Sequence, residues 1–170
     1  PTAVTLGSTW DGDLVEQVGA ALGEEAAEQG VAVVLGPGLN IKRHPAGGRC
    51  FEYLSEDPHL SGKLAAAMVR GTQAQGIGTS VKHFAVNNEE DARYVARPMV
   101  SERALREYYL PAFRMAIVEA GCESIMTSMC EAKPTRCSTE TRRPSELETT
   151  PRRMPASRAR RRASGSSLGT

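Results

Sequence analysis

The sequence predicts an α/β protein with a parallel sheet, and three observations lead to that prediction. Stretches with helical apolar spacing alternate with short apolar stretches typical of strands, and this happens three times within residues 1–128. Such alternation favours a parallel sheet covered by helices. The long polar loops all follow strands, as they do in a (β/α)8 barrel, which needs about 250 residues. The three β/α units therefore predict part of such a barrel.

The first helix is predicted over residues 11–29, because Asp11 or Asp13 can cap its start and Gly30 can end it. Its predicted apolar face consists of residues spaced three and four apart, namely Leu14, Val18, Ala21, Leu22 and Ala26. The next stretch, 31–38, is apolar, rich in valine and closed by glycine and proline. This pattern predicts a strand that is buried on both faces.

The second and third units follow the same plan. Asp57 and Pro58 predict the start of a second helix, with aspartate as the N-cap and proline at the first helical position. The second strand is predicted at 79–84. A third helix is predicted over 101–120 and a third strand over 122–128, because a glycine separates the two stretches.

Residues 129–170 differ in composition from residues 1–128. The first 128 residues contain 11 basic and 16 acidic side chains, whereas the last 42 contain 10 basic and 4 acidic ones. Valine, isoleucine, phenylalanine, tyrosine and tryptophan do not occur after Met129. Such a segment buries too little apolar surface to offset its chain entropy. We therefore predict a folded domain over 1–128 and a disordered basic tail over 129–170.

Composition also excludes several classes of protein. No apolar run approaches the roughly 18 residues of a membrane span, and the first residues lack a signal-peptide pattern. These features predict a cytoplasmic protein without membrane association. The four cysteines lack the spacing of a zinc site and are predicted to be free thiols. We expect neither a metal nor a cofactor.

The candidate site lies where the second predicted strand ends. Lys82 and His83, two side chains that can carry positive charge, stand together at that end. Arg49 lies in the loop after the first strand, and Arg93 lies in the loop after the second. Since the carboxyl ends of parallel strands meet at one edge, these four residues are expected to surround one pocket. They can donate hydrogen bonds to hydroxyl groups or to a negative charge.

A simpler interpretation of these residues stays open. Lys82 and His83 can be a solvated strand end. The arginines can form ordinary ion pairs, which contribute little to stability, with carboxylates of the same loops. The available partners are Glu52, Glu56, Glu89, Glu90 and Asp91.

Three motifs resemble glycoside hydrolase family 3, the β-glucosidase-type enzymes. They read GPGLNIKRHPAGGRCFEYLSEDPHLSG, GIGTSVKHFAVNNEEDARY and SERALREYYLPAFRMAIVEAG, and the similarity runs from Pro1 to about Ser128. The resemblance implies a (β/α)8 barrel or a variant of it. It also implies that Arg49 and Arg93 line the sugar pocket. By the same resemblance, Lys82 and His83 bind hydroxyls of the sugar that precedes the cleaved bond.

The resemblance further implies a retaining mechanism with two carboxyl groups. The family places its nucleophilic aspartate in an SDW-like motif, which does not occur here, since Trp10 is the only tryptophan and Asp91 the last aspartate. The family's SYN-like motif is replaced by Ser128-Met129-Cys130. We therefore expect an incomplete, catalytically inactive copy without nucleophile or acid/base. Our hypothesis for the tail is a shifted reading frame or a gene-model error.

Three functions follow from these observations. The first is a glycoside hydrolase acting on β-linked glucosides or oligosaccharides. The second is an inactive carbohydrate-binding fragment or pseudoenzyme that retains the four sugar-binding residues. The third, nucleic-acid binding through the RARRR stretch at 158–162, is disfavoured because no aromatic residue stands among the arginines and no recognition fold precedes them.

Overall fold

The computed structural model describes residues 1–88, 90, 94, 97–129 and the backbone of 133–135. The chain divides into two compact units, Pro1–Cys137 and Ser138–Thr170, and all described residues belong to the first unit. Most of the predicted disordered tail, 129–170, lies outside the described residues. No helix in the described part is long and apolar enough to cross a membrane.

The main sheet is parallel, as the alternation of elements predicts. It contains β1 (Val33–Val34), β2 (Gly78–Phe84) and β4 (Ser124–Thr127), in the order β1-β2-β4. A second, two-stranded parallel sheet pairs β3 (Met99–Ser101) with β5 (Lys133–Thr135) and was not predicted. β1 pairs with the amino end of β2, at Gly78 and Thr79, and β4 pairs with β2 from Ser80 to Phe84.

The helices predicted to start near residues 11 and 58 begin where the sequence indicates. The described helices are α1 (Ala3–Gly7), α2 (Gly12–Glu28), α3 (Pro58–Gln73), α4 (Glu102–Ala104), a π-helical turn (Leu105–Tyr109) and α5 (Pro111–Val118). Asp11 caps α2 by accepting from the Leu14 amide at 3.0 Å, and Asp57 caps α3 by accepting from the Leu60 amide at 2.6 Å. Both N-caps confirm the predictions, although α1 was not predicted.

The third predicted helix, 101–120, is not continuous. Ser101 does cap its start by accepting from the Ala104 amide at 3.2 Å. The α-helix then widens into the π-helical turn, and a new helix begins at Pro111. Proline has no N–H to donate and its ring clashes with the preceding turn, so a regular helix does not pass through it. Ala112, Phe113 and Ala116 are the residues that α5 buries.

The buried face of α2 differs from the predicted one. Of the predicted face, Ala26 is buried and Val18 packs against the core, but Leu14 and Leu22 are exposed. The other buried residues of α2 are Val15, Gly19 and Gly23. The reason is the close approach of α3, because a β-carbon on Gly19 would lie 2.6 Å from the carbonyl oxygen of Met68. Small residues, rather than leucines, therefore form the contact between the two helices.

The first strand is also shorter and more exposed than predicted. Only two residues of the stretch 31–38 form β1, and the side chains of Val33 and Leu35 are exposed. Among the described strands, β1 pairs only with β2, so it is an edge strand. Because β1 lies at an edge, the prediction that it is buried on both faces is wrong. A continuous valine-rich run does not reveal which strand lies at an edge.

Candidate functional site

Two loops meet the carboxyl end of β2 and build the candidate site there. The backbone amide of Lys82 donates to the Pro37 carbonyl at 3.1 Å, and the Leu39 amide donates back to the Lys82 carbonyl at 2.6 Å. Gly38 forms bridges with both Lys82 and Tyr53. A β-carbon on Gly38 would lie 2.9 Å from the Glu52 carbonyl and from the Tyr53 ring. Glycine at this position therefore lets the loop of Arg49 reach the strand end.

The carboxylate of Glu52 joins the two predicted cations. Its Oε1 accepts from Arg49 Nε, and its Oε2 lies 3.2 Å from Lys82 Nζ. Arg49 Nη1 also lies 3.7 Å from Glu90 Oε1. Burial alone would raise the pKa of Glu52, but the hydrogen bonds from Arg49 and Lys82 outweigh it and lower the pKa. Glu52 is therefore an ionised bridge that holds both cations in fixed positions.

His83 is buried beside these charges and is only 8% exposed. Its burial, reinforced by the positive charge of Arg49, lowers the pKa of His83 to about 4. The ring is consequently neutral at neutral pH. Of the two side chains that can carry positive charge at this strand end, Lys82 alone carries it.

Tyr53 is the centre of a buried hydrogen-bond network around His83. Its hydroxyl donates to the Asn87 carbonyl at 3.1 Å, accepts from Asn40 Nδ2 at 3.2 Å and lies 3.4 Å from His83 Nδ1. Asn40 Nδ2 also donates to the His83 carbonyl at 3.1 Å. Burial raises the pKa of Tyr53 to about 12, so the phenol keeps its proton.

The structure brings three of the four predicted site residues together. Arg49 and Lys82 share Glu52, and His83 follows Lys82 in the strand. The simpler interpretation holds for Arg49, which pairs with two of the expected carboxylates, Glu52 and Glu90. It is wrong for His83, whose ring is buried and not part of a solvated strand end. Arg93 lies outside the described residues.

Three residues of the network were not predicted, namely Asn40, Tyr53 and Asn87. Tyr53 stands next to Glu52 in the FEY stretch that follows Arg49, and Asn87 lies four residues after His83. The sequence does contain a signal for Asn40, because its polar side chain stands between the apolar residues Leu39 and Ile41. Each is buried, and a buried polar side chain needs a partner.

A separate cleft of about 520 Å³ is lined in part by other residues of the loop that carries Arg49. Its lining includes Trp10, Lys42, His44, Cys50 and Glu56 but not Arg49, Lys82 or His83. Cys50 is a free thiol, as is Cys122 elsewhere in the described chain, which confirms the prediction for these two cysteines. The pairing of cations through a carboxylate occurs at the strand end, so we take the strand end as the site.

The chain belongs to glycosyl hydrolase family 3, because the model of that family's N-terminal domain matches residues 1–143. An exo-α-(1→6)-L-arabinopyranosidase of Bifidobacterium longum is 52% identical over 128 residues, covering 75% of this chain and 17% of the relative. The thermostable β-glucosidase B of Acetivibrio thermocellus is 52% identical over 120 residues, covering 71% of this chain and 16% of the relative.

Solved structures agree with the sequence relatives. β-Glucosidase 3B from Thermotoga neapolitana, solved in complex with α-D-glucose, superposes with a TM-score of 0.77 and 47% identity. The similarity covers 81% of this chain and 19% of that one. A glucose complex of a β-glucosidase from Kluyveromyces marxianus superposes with a TM-score of 0.76 and 45% identity. The chain thus spans less than one fifth of the length of these relatives.

Proposed function

We propose that this chain forms part of a β-glucosidase-type glycoside hydrolase and contributes the sugar-binding face of a (β/α)8 barrel. The observation that carries the proposal is the Glu52 carboxylate that bridges Arg49 and Lys82 beside His83 at the end of β2. Relatives that are 52% identical to the chain are glycosidases, and the resemblance adds Arg93 to the same pocket.

The chemistry of the site suits a sugar. A sugar ring presents many hydroxyl groups, each of which needs a hydrogen-bond partner when water is removed. Lys82 offers up to three N–H donors and Arg49 up to five, and Glu52 fixes where both point. A site that dedicates such groups to hydroxyls strongly rejects analogues that lack them.

The proposal gives Arg49, Lys82 and His83 a binding role and no chemical step. Retaining glycosidases use one carboxylate as the nucleophile and a second carboxylic acid as the acid/base. Glu52 is unsuited to either role because two cations hold it ionised and occupy both of its oxygens. We therefore expect the 170-residue chain to bind a β-glucoside or glucose without hydrolysing it.

Calorimetric titration of the full chain with glucose and gluconolactone tests the binding role. We expect Lys82→Met to weaken glucose binding at least tenfold, whereas the matched variant Lys63→Met, on the exposed side of α3, leaves it unchanged. Equal affinities of the two variants, or no binding by the unaltered chain, would contradict the proposal.

Hydrolysis of an aryl β-glucoside by the same preparation separates the two candidate functions. Binding without release of nitrophenol supports a carbohydrate-binding fragment of the family. Release of nitrophenol that is lost in Lys82→Met would instead make the 170-residue chain an enzyme in its own right.

A further inference from the structure

The proton positions around His83 follow from groups whose roles are fixed. The backbone amide of Asn87 donates to Asn40 Oδ1 at 3.2 Å. A backbone N–H can only donate, so the side chain of Asn40 is oriented with its oxygen toward Asn87. Its Nδ2 end must then donate, and it does so to the His83 carbonyl and to the Tyr53 hydroxyl oxygen.

The Tyr53 hydroxyl has one proton and two lone pairs, and each is accounted for. The proton goes to the Asn87 carbonyl at 3.1 Å, since a carbonyl oxygen can only accept. One lone pair accepts from Asn40 Nδ2. The remaining lone pair faces His83 Nδ1 at 3.4 Å, so Nδ1 has to carry the hydrogen of that bond.

The described residues leave the other ring nitrogen, Nε2, without a hydrogen-bond partner. No described residue forms a hydrogen bond with His83 Nε2, and Nε2 is not among the fully buried unpaired atoms. The charged groups that act on the ring are Arg49, Glu52, Lys82 and Glu90. A neutral imidazole has one N–H and one lone pair, so an Nδ1–H ring presents a lone pair at Nε2.

We propose that Tyr53 and Asn40 are positioning residues that hold His83 as its Nδ1–H tautomer, which makes Nε2 a hydrogen-bond acceptor for a sugar hydroxyl. The adjacent Lys82 can only donate. His83 and Lys82 together therefore favour a ligand with one group that donates to His83 Nε2 and one group that accepts from Lys82. A free hydroxyl does both, whereas a fluorine or a methyl ether cannot donate.

The identity of the ligand rests on the proposed function, but the tautomer does not. Two substitutions, His44→Gln and His59→Gln, leave His83 as the only histidine of the three. In the full chain labelled with ¹⁵N-histidine, long-range ¹H–¹⁵N correlation spectra at pH 7 distinguish the two tautomers. We expect the Nδ1–H pattern, and an Nε2–H pattern or a doubly protonated ring would overturn the proposal.

Tyr53→Phe in the same background tests the positioning role. We expect a mixture of tautomers, because the acceptor for Nδ1–H is gone while the ring stays in place. If the variant does not fold, the tautomer in the chain that keeps Tyr53 still decides the proposal. A pure Nδ1–H ring in folded Tyr53→Phe would remove Tyr53 from the positioning role.

Addition of sugars to the labelled chain connects the tautomer to recognition. We expect glucose to shift the Nε2 resonance and to leave Nδ1 nearly unchanged. Glucose analogues in which one hydroxyl at a time is replaced by fluorine should include one that binds at least tenfold more weakly. An Nδ1–H ring in a chain that binds no glucose would contradict the proposed function but not the tautomer. Glucose binding without any change at Nε2 would overturn the acceptor role.

Discussion

The contact between α2 and α3 and the carboxyl end of β2 are stabilised by opposite means. The helices approach closely because Gly19, Gly23 and Gly71 carry no side chains, and most of the atoms nearest to these glycines are backbone atoms of the facing helix. The strand end contains Arg49, Glu52 and Lys82 in one charged cluster above a neutral hydrogen-bond network. We expect substitutions at the helix contact to lower the free energy of unfolding, and substitutions at the strand end to change sugar binding.

The same contrast exists between two ion pairs. Arg70 and Glu16 join α3 to α2 at 2.8 Å, with side chains that are 45% and 42% exposed. Lys82 and Glu52 lie 3.2 Å apart at 18% and 16% exposure. Exposed pairs gain little because water already solvates both charges. A shielded pair cannot lose one member without leaving the other charge poorly solvated.

The largest expected effect comes from Gly71→Ala at the helix contact. A β-carbon there would collide with the carbonyl oxygen of Glu16, so α2 and α3 must separate. We expect the free energy of unfolding to fall by about 3 kcal/mol, at the upper end for overpacked sites. Urea denaturation measures the loss.

Gly12→Ala in α2 is the matched control, because nothing lies within 4 Å of a β-carbon at that position. It should leave the free energy of unfolding within about 0.5 kcal/mol of the unaltered chain. Similar losses for the two variants would contradict the packing argument.

The next effect is a pH dependence that comes from His83. Its pKa is about 4 in the folded chain, compared with 6.5 ordinarily, so the unfolded chain takes up the proton first as the pH falls. The contribution of the neutral His83 ring to the free energy of unfolding is complete well above pH 6.5 and decreases as the pH falls toward 4. Between pH 8 and pH 5 we expect the free energy of unfolding to decrease by about 2 kcal/mol.

The variant His83→Gln should lose this part of the pH dependence, and His59→Gln should retain it. Glu52 contributes to the free energy of unfolding in a different pH range. Because its pKa is lowered in the folded chain, its contribution is lost only below about pH 4.5. Equal pH profiles of the two histidine variants between pH 8 and pH 5 would show that His83 is not the titrating group.

The smallest effect is expected for the exposed ion pair. A double-mutant cycle of Arg70→Ala and Glu16→Ala should give a coupling energy of about 0.5 kcal/mol that disappears in 1 M salt. The corresponding cycle of Lys82→Met and Glu52→Gln should give about 2 kcal/mol, since each single variant leaves a shielded charge behind. A coupling of equal size in the two cycles would remove the distinction between the regions.

Local signals in the sequence predicted much of the fold. Asp11 and Asp57 mark the starts of α2 and α3 because an N-cap depends only on the residues beside it. The end of β2 at Lys82 and His83 was predicted for a similar reason, since apolar residues give way to polar ones there. The buried face of α2 was predicted only in part, at Val18 and Ala26, because the rest of it depends on how closely α3 approaches. The interruption at Pro111 was missed although proline is a signal for it.

Sequence patterns were enough to predict the alternation of helices and strands, the family, and Arg49, Lys82 and His83 as site candidates. The contacts between these residues depend on the tertiary structure, which places Glu52 between Arg49 and Lys82 and the Tyr53 hydroxyl 3.4 Å from His83 Nδ1. The two kinds of feature differ in the distance along the chain over which the responsible interactions act. Caps and strand periodicity act over a few neighbouring residues, whereas the charge state of His83 depends on burial and on Arg49, 34 positions earlier in the chain.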